Sequence, residues 1–313
     1  MDTNDFRAGF VSIVGKPNVG KSTLMNRLIG EKLSIVSAKP QTTRMNIKGF
    51  YNTEKVQIIF YDTPGFLEPR YELHEKMQGY IQNSIKGADL IVFLTDATDF
   101  PTEYDKMILE IIKRSNKNVL GVLNKADLCS EEIIQIKKKE LEKDLALNQY
   151  KKEGISTAST IHKGSDIFTI SALKDSSFDE IINTITENLP FSPPLYNQED
   201  LSDMPMRFFA QEIIREKIFH YYGEEIPYCS TVVVEKWSEE ENRDVIQANI
   251  WIERDTQKSI IIGKDGSKIG QVRKNAELDI ERLTGKKAVL NLWVKVKKDW
   301  RKKKGALHEF DYK

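Results

Sequence analysis

The sequence has few cysteines, no net charge and no long apolar run. Its two cysteines, Cys129 and Cys229, lie far apart and form no Cys-x-x-Cys pair, which argues against a disulfide framework or a zinc site. Lysine plus arginine equal aspartate plus glutamate at 47 each, so the overall charge indicates no partner. The N-terminal residues are acidic and no apolar run could span a membrane, so we expect a soluble, cytoplasmic protein.

Length and patterning indicate two domains. The 313 residues exceed an average domain. Short apolar runs alternate with helix-like segments up to about residue 190, which is typical of βαβ units and a mostly parallel sheet. Prolines then favour a linker, because they end helices and stiffen extended chain. We predict an α/β domain at 6–190, a linker at 191–205, an α+β domain at 206–300 and a basic, polar tail at 301–313.

The periodicity of apolar residues predicts the individual elements. In the first domain, strands are expected at 10–14, 45–51, 56–61, 90–94, 119–123 and 167–170, and helices at 71–86, 102–114, 131–147 and 178–189. The polar residues 148–165 lack periodicity and are predicted as a surface loop. In the second domain, a helix is expected at 206–222, strands at 228–236 and 244–253, a helix at 267–283 and a strand at 288–296.

A phosphate-binding loop is predicted between the first strand and the following helix. Glycines allow successive backbone N–H groups to face an anion, and the N-terminus of a helix adds partial positive charge. In this pattern Lys21 reaches the β- and γ-phosphates and the Ser22 hydroxyl binds Mg²⁺. The alternative is a plain glycine turn, which the complete eight-residue pattern disfavours. The loop residues are Gly15, Lys16, Pro17, Asn18, Val19, Gly20, Lys21 and Ser22.

A second motif follows the strand at 56–61. Asp62 stands where P-loop enzymes place a second acidic contribution to the metal site, and the Gly65 N–H could bind the γ-phosphate. An ordinary Asx or proline turn is the alternative, but the position downstream of the phosphate-binding loop favours the metal site. The motif and the residue after it are Asp62, Thr63, Pro64, Gly65 and Phe66.

A third motif selects the base. A carboxylate at Asp127 can accept two N–H bonds from guanine, at N1 and the exocyclic N2, whereas adenine has no donor there. Hydrogen bonds to a charged group contribute about 1.5–3 kcal/mol each, so the site should prefer GTP to ATP. Asn124 would tie the loops together, the Lys125 stem would cover the base, and the Ala172 N–H would face guanine O6. The residues of this site are Asn124, Lys125, Ala126, Asp127, Ser171 and Ala172.

These ordered motifs resemble those of translation-factor-class GTPases, and the segment Pro40-Gln41-Thr42-Thr43-Arg44 resembles switch I of the Era family within that class. The resemblance implies that Thr43, with Thr42 as the alternative, closes onto Mg²⁺ when GTP is bound. Phe66 stands where Ras-like enzymes carry a glutamine that orients the attacking water, so we expect slow intrinsic hydrolysis of GTP to GDP. The resemblance implies help from a potassium ion beside Asn18 or from a bound partner. The predicted catalytic residues are Asn18, Lys21, Thr43 and Gly65.

The second domain contains a Gly-x-x-Gly loop between two apolar segments. Such a loop alone is most often a turn. The surrounding order of helix, strand, strand, loop, helix and strand resembles a type II KH domain, whose loop clamps about four unpaired nucleotides. Residues 212–217 resemble the Era version of its first helix. The predicted RNA-binding residues are Gly263, Lys264, Asp265, Gly266, Lys268, Arg273 and Lys274.

Basic residues are concentrated near the end of the chain. Between residues 286 and 304, nine basic residues accompany one acid and two tryptophans, Trp293 and Trp300. Beside a KH loop, this stretch is predicted to extend an RNA-binding surface, since lysines neutralise phosphates and aromatic rings stack on bases. Attraction to anionic lipid is the alternative.

The resemblance to the Era family covers residues 9 to about 300 and departs at 148–165, which is longer than the family pattern. It implies a monomeric GTP switch that binds 16S rRNA near its 3′ end and the small (30S) ribosomal subunit during assembly. Two alternatives stay open. One is a GTPase that acts on a protein or membrane partner, peripheral on the inner face of the cell membrane. The other is a binding module that no longer hydrolyses GTP.

Overall fold

The structure, a computed structural model, describes residues 5–37, 39–149, 167–175 and 177–312. Most of the predicted loop at 148–165 lies outside these residues. The chain forms two compact units. The first comprises Met1–Ser34, Thr43–Leu67 and Met77–Asp203, and the second comprises Ile35–Thr42, Glu68–Lys76 and Met204–Lys313.

A six-stranded sheet organises the first unit. Its strands are β1 (Arg7–Val14), β2 (Ile47–Asn52), β3 (Val56–Asp62), β4 (Leu90–Asp96), β5 (Asn118–Asn124) and β6 (Ile167–Thr169). They lie in the order β2-β3-β1-β4-β5-β6, and β2 alone among them is antiparallel to its neighbour. Every residue of β4 is buried, as expected for a parallel strand covered on both faces. The carboxyl ends of the parallel strands meet at one edge, which is where the predicted nucleotide motifs begin.

In the described part of the chain, five helices accompany these strands. They are α1 (Lys21–Ile29), α2 (Glu72–Gly87), α3 (Glu103–Ser115), α4 (Glu131–Gln149) and α5 (Asp179–Asn188). Helix α3 begins at a capping box, in which the Thr102 hydroxyl accepts the Asp105 N–H and the Asp105 carboxylate accepts the Thr102 N–H. Apolar side chains of α2, α3 and α4 pack with residues of β4 and β5 in one hydrophobic core cluster of this unit. Within the described residues, no helix is both long and apolar enough to cross a membrane.

Residues 191–203, predicted as part of a linker, lie in the first unit. The buried side-chain oxygen of Gln57 accepts the N–H groups of Leu195, at 2.7 Å, and Tyr196, at 2.9 Å. The Tyr196 ring packs on Phe50 with 4.4 Å between ring centroids. The prolines indicate extended chain, but the sequence does not show that a buried glutamine on β3 fixes that chain.

The second unit contains a three-stranded sheet. Strand β8 (Arg243–Ile252) lies between β7 (Thr231–Glu239), to which it is antiparallel, and β9 (Lys287–Val296), to which it is parallel. The helices are α6 (Met206–Tyr221), α7 (Ile226–Cys229), α8 (Asp255–Ile262), α9 (Ser267–Thr284) and α10 (Lys304–Glu309). One face of the sheet and the inward faces of α6 and α9 bury an aliphatic core.

Two helices interrupt the predicted element order. Residues 228–229, expected in a strand, belong to α7, in which Pro227 occupies the first turn. Helix α8 fills what was predicted as loop before Gly263. Only its last three residues are aliphatic, so its sequence lacks the helical periodicity on which the prediction depended.

The end of the chain folds back onto the second unit. The Trp300 side chain is fully buried, and its indole N–H donates to the Cys229 carbonyl oxygen at 2.8 Å. Leu307 and Phe310 are also buried. The prediction that Trp300 belongs to an exposed RNA-binding surface is therefore wrong, because the ring is needed in the core. Trp293, in contrast, is 48% exposed.

Candidate nucleotide-binding and RNA-binding sites

The predicted phosphate-binding loop connects β1 to α1, and two crowded glycines shape it. Gly20 has a φ of +100°, and a Cβ atom there would lie 2.3 Å from Asn124 Nδ2. A Cβ atom on Gly15 would lie 2.2 Å from the Leu94 carbonyl oxygen. No side chain caps the N-terminus of α1, which follows Gly20. The N–H groups of its first turn can therefore bind an anion.

Lys21 is buried at the start of α1. Its ammonium group donates to the carbonyl oxygens of Gly15, at 3.1 Å, and Lys16, at 2.9 Å. Burial lowers the pKa of Lys21 to about 8, and the negative charge of Asp62 partly opposes this shift. A phosphate group beside this ammonium would stabilise its charged form, in line with the predicted role.

The three predicted metal ligands lie together at the carboxyl ends of the strands. Ser22 Oγ donates to Asp62 Oδ2 at 2.7 Å, Thr43 Oγ1 donates to the same oxygen at 3.1 Å, and the two hydroxyl oxygens are 3.0 Å apart. Burial raises the pKa of Asp62. Its other oxygen, Oδ1, is buried without a hydrogen bond of good geometry to any described residue. Hard oxygen ligands around an unsatisfied carboxylate fit Mg²⁺.

The residues after Asp62 are fixed against the phosphate-binding loop. The Thr63 hydroxyl donates to the Ile13 carbonyl oxygen at 2.7 Å. A Cβ atom on Gly65 would lie 2.8 Å from Pro17 Cα, so only glycine fits this approach. Phe66 is buried in the core, and its N–H donates to the Gly15 carbonyl oxygen at 3.2 Å. The Phe66 ring is therefore a packing group and cannot orient a water molecule.

Asn124 joins two loops at the predicted base site. Its amide donates to the Val19 carbonyl oxygen at 2.7 Å, and its Oδ1 accepts the Ala172 N–H at 2.8 Å. This is the arrangement that the sequence predicts for Asn124. The Ala172 N–H, predicted to face guanine O6, thus donates to Asn124 in this structure.

Asp127 and Lys125 face neighbouring charges that the sequence did not identify. The Asp127 carboxylate lies 2.8 Å from the ammonium group of Lys174, which with Ser171 lowers the pKa of Asp127. Lys125 lies 2.5 Å from the Asp96 carboxylate. Because the Lys174 side chain is 63% exposed, its ion pair is weak, and guanine N–H groups can compete for Asp127.

The Lys16 side chain points to α3. Its ammonium group lies 2.7 Å from the Asp99 carboxylate and 2.9 Å from that of Asp105, which is fully buried. The sequence does carry a signal for Asp105, since Thr102-x-x-Asp105 matches a capping box, but nothing in it indicates the pairing with Lys16. Because the Lys16 ammonium group is paired in this way, the predicted contribution of Lys16 to nucleotide binding would come from its backbone groups.

The Gly-x-x-Gly loop joins α8 to α9 in the second unit. Gly263, Asp265 and Gly266 all have φ between +51° and +76°. A Cβ atom on Gly263 would lie 2.8 Å from Lys268 Cγ, whereas nothing lies within 4 Å of the same position on Gly266. As at α1, no side chain caps the N-terminus of α9. A phosphate can therefore approach this helix at Gly266.

A depression of about 250 Å³ continues from this loop between α9 and β9. Arg273 lines it, and Lys264, Lys268 and Lys274 are exposed nearby in the chain. The Lys268 ammonium group lies 5.7 Å from the centroid of the Tyr222 ring. The residues that line the depression are Gly266, Ile269, Gly270, Arg273, Asn291, Leu292 and Trp293.

Comparisons with known proteins match both units. Residues 10–125 match the family described as 50S ribosome-binding GTPase, and residues 225–301 match the KH domain family. Two relatives named GTPase Era, from Staphylococcus haemolyticus and Staphylococcus epidermidis, are each 40% identical over 309 residues, which is 98% of this chain and 98% of theirs.

Two solved structures are similar over nearly the whole chain. Era in complex with MgGDPNP and nucleotides 1506–1542 of 16S ribosomal RNA has a TM-score of 0.88. A variant of Aquifex aeolicus Era bound to GDP·AlF4⁻ has a TM-score of 0.89. Each is 37% identical, with 98% of this chain and 99% of the other covered. The predicted fold class, a P-loop GTPase domain followed by a KH domain, is confirmed, and the chain belongs to the GTPase Era family.

Proposed function

We propose that this GTPase is a switch whose GTP state controls the binding of single-stranded RNA. The observation that carries the proposal is the presence, in one chain, of two helix N-termini that no side chain caps and that an anion could approach. Each follows a glycine with positive φ, and each has lysines beside it. One is combined with an oxygen cluster that fits Mg²⁺ and with Asp127, which suits GTP. The other is combined with the depression between α9 and β9 (the RNA-binding groove), which suits unpaired nucleotides.

The proposed target is 16S rRNA near its 3′ end, on the small ribosomal subunit during assembly. The similar Era structure that contains MgGDPNP and nucleotides 1506–1542 of 16S rRNA supports this target. We propose that the protein acts as a monomer. A peripheral contact with the inner face of the cell membrane stays a prediction, which rests on the lysine-rich stretch at 286–304 alone.

A short segment of the second unit offers a route from the nucleotide to the RNA-binding groove. Residues 35–42 end directly before Thr43 and belong to the second unit. There the buried Arg215 side chain donates to the Thr42 carbonyl oxygen. Lys39 donates to the carbonyl oxygens of Phe219, in the last turn of α6, and of Tyr222, which directly follows α6. A change in the position of Thr43 would therefore act on α6, because GTP and its metal order such switch segments.

Hydrolysis is proposed to depend on charge stabilisation rather than on a glutamine. Lys21 would hold the β- and γ-phosphates, and the Gly65 N–H would bind the γ-phosphate oxygens. Mg²⁺, held by Ser22, Thr43 and Asp62, would neutralise charge on the phosphates. Asn18, whose φ is +64°, is the residue proposed to hold a potassium ion.

Potassium should raise the rate of GTP hydrolysis about tenfold over sodium at equal ionic strength, which corresponds to about 1.4 kcal/mol of transition-state stabilisation. The rate of phosphate release measures this effect, with and without small ribosomal subunits. An Asn18→Ala variant that binds GTP should lose the difference between the two salts. Equal rates in both salts for the native protein would contradict the potassium site and leave a bound partner as the source of activation.

The RNA-binding groove should bind the single-stranded part of 16S rRNA nucleotides 1506–1542 more tightly than a scrambled RNA of the same composition. Replacing Lys264 and Lys268 together by alanine should weaken binding, and the slope of log affinity against log salt should fall by about one for each lost phosphate contact. Fluorescence anisotropy across a salt titration measures both quantities. A Lys143→Ala variant, which removes an exposed lysine of α4, is the matched control.

The affinity for anionic lipid vesicles, compared with the affinity for the two RNAs, tests the alternative of a membrane partner. Equal affinity for vesicles, for the 16S segment and for the scrambled RNA would contradict sequence-specific RNA binding. It would instead support a GTPase that acts at a membrane through its lysine-rich stretch.

A further inference from the structure

The outer face of the KH sheet carries an exposed tryptophan that the groove alone does not explain. Side chains of β9 alternate, so that Leu290 and Val294 enter the core while Val289 and Trp293 point outward. Trp293 is 48% exposed, although tryptophan is mostly buried in folded proteins. In the parallel pair, Trp293 lies opposite Asn249 of β8.

Phe310, which directly follows α10, covers one end of this face. Trp251, two residues beyond Asn249 on β8, packs on Phe310 with ring centroids 5.5 Å apart. The other end is open and holds a depression of about 420 Å³. Its lining residues are Glu235, Gln247, Asn249, Trp293 and Lys295.

The chemistry of this second depression suits a nucleic acid base. Asn249 is 1% exposed, and its amide donates to the Glu235 carboxylate at 2.5 Å, which fixes both groups at the floor. Fixed amides and carboxylates can read the edge of a base, while an exposed indole offers a stacking surface. Lys295 adds a positive charge at the border, where its ammonium group lies 5.4 Å from the Trp251 ring centroid.

Trp293 lines both this depression and the groove beside the Gly-x-x-Gly loop. An RNA strand that leaves the groove can therefore cross the edge strand β9 directly onto the sheet. We propose that the outer face of the sheet binds one further unpaired RNA base, stacked on Trp293 with its edge toward Asn249 and Glu235, beyond the nucleotides that the groove holds. This inference rests on the proposed RNA-binding function and extends its binding site.

The test combines Trp293 variants with single abasic substitutions along RNA of 16S nucleotides 1506–1542. Trp293→Ala should weaken binding about 5- to 150-fold, the range of one stacked base, whereas Trp293→Phe should keep most of the affinity. At one RNA position, an abasic substitution should remove the effect of Trp293→Ala on affinity, because the base that stacks on the ring is already absent. That position should differ from the positions at which an abasic substitution removes the effect of Lys264→Ala. Val289→Ala, on the same face and 38% exposed, should change nothing.

Two outcomes would overturn the inference. Coupling of Trp293 only to nucleotides that also couple to Lys264 would place the ring in the groove. An equal loss of RNA affinity in Trp293→Ala and Val289→Ala would indicate a general effect on the sheet rather than a lost stacking contact. Thermal unfolding of both variants and of Lys295→Ala would show whether that effect is a loss of stability. If the native protein binds no RNA, the proposed function fails as well.

Discussion

A Lys21→Ala variant should bind GTP at least about 100-fold more weakly than the native protein while it keeps its fold. The ammonium group is buried and converges on the Gly15 and Lys16 carbonyl oxygens at the start of α1. A hydrogen bond to a charged group contributes about 1.5–3 kcal/mol, and about 1.4 kcal/mol corresponds to a factor of ten. Loss of contacts to two phosphates therefore gives the expected effect, which titration with a fluorescent GTP analogue measures.

Two opposing effects of this substitution on the free energy of unfolding should nearly cancel. Burial lowers the pKa of Lys21 to about 8 from 10.5, so below pH 8 the charged side chain opposes folding. Alanine removes that cost together with two hydrogen bonds to the loop. The Tm at pH 7 should thus change little. An unchanged Tm would show that the weaker GTP binding comes from a lost ligand contact and not from a lost fold.

Two further measurements test the role of Lys21. Lys86→Ala removes an exposed lysine of α2 and should leave GTP affinity unchanged. RNA binding by Lys21→Ala should stay measurable. Unchanged GTP affinity in Lys21→Ala would contradict the predicted phosphate contact, and loss of RNA binding with an intact fold would mean that RNA binding requires the nucleotide.

The nucleotide motifs could be located from the sequence because each is a local pattern at the end of a strand. Apolar runs such as 90–94 predict a buried parallel strand, and the topology then fixes which edge receives the loops. Ser22, Thr43 and Asp62 come from three distant places in the chain, yet their hydroxyl and carboxylate oxygens lie within 3.1 Å of one another. The roles in Mg²⁺ binding assigned to these three residues stay predictions.

The contacts that could not be predicted from the sequence join residues that are distant in the chain. Lys16 pairs with Asp105 across 89 positions, and Gln57 binds the backbone of Tyr196 across 139. Neither contact leaves a periodic pattern in the sequence. The burial of Trp300 was missed for a related reason, because a tryptophan beside lysines has the composition of an RNA-binding surface whether or not its ring enters the core.

The second large effect is expected for Asp127→Asn, which should bind xanthosine triphosphate in preference to GTP. The carboxylate is placed by the turn that follows β5, where the Ala126 N–H donates to the Ile170 carbonyl oxygen at 3.0 Å. Guanine offers two N–H donors to a carboxylate, whereas an asparagine amide opposes one of them with its own N–H groups. Xanthine replaces that donor by a carbonyl oxygen, which the amide can bind. GTP affinity should fall about 100-fold or more, as expected for two charge-assisted hydrogen bonds.

Competition between the two nucleotides for one fluorescent probe measures the exchange of preference. Asp127→Ala is the matched control, since it removes the carboxylate without supplying a donor, and it should bind both nucleotides weakly. The ion pair of Asp127 with Lys174 does not interfere, because Lys174 is largely exposed and an exposed pair contributes little. Native-like GTP affinity in Asp127→Asn would contradict base selection by Asp127. A loss of GTP without a gain of xanthosine triphosphate would mean that the amide is not held in the plane of the base.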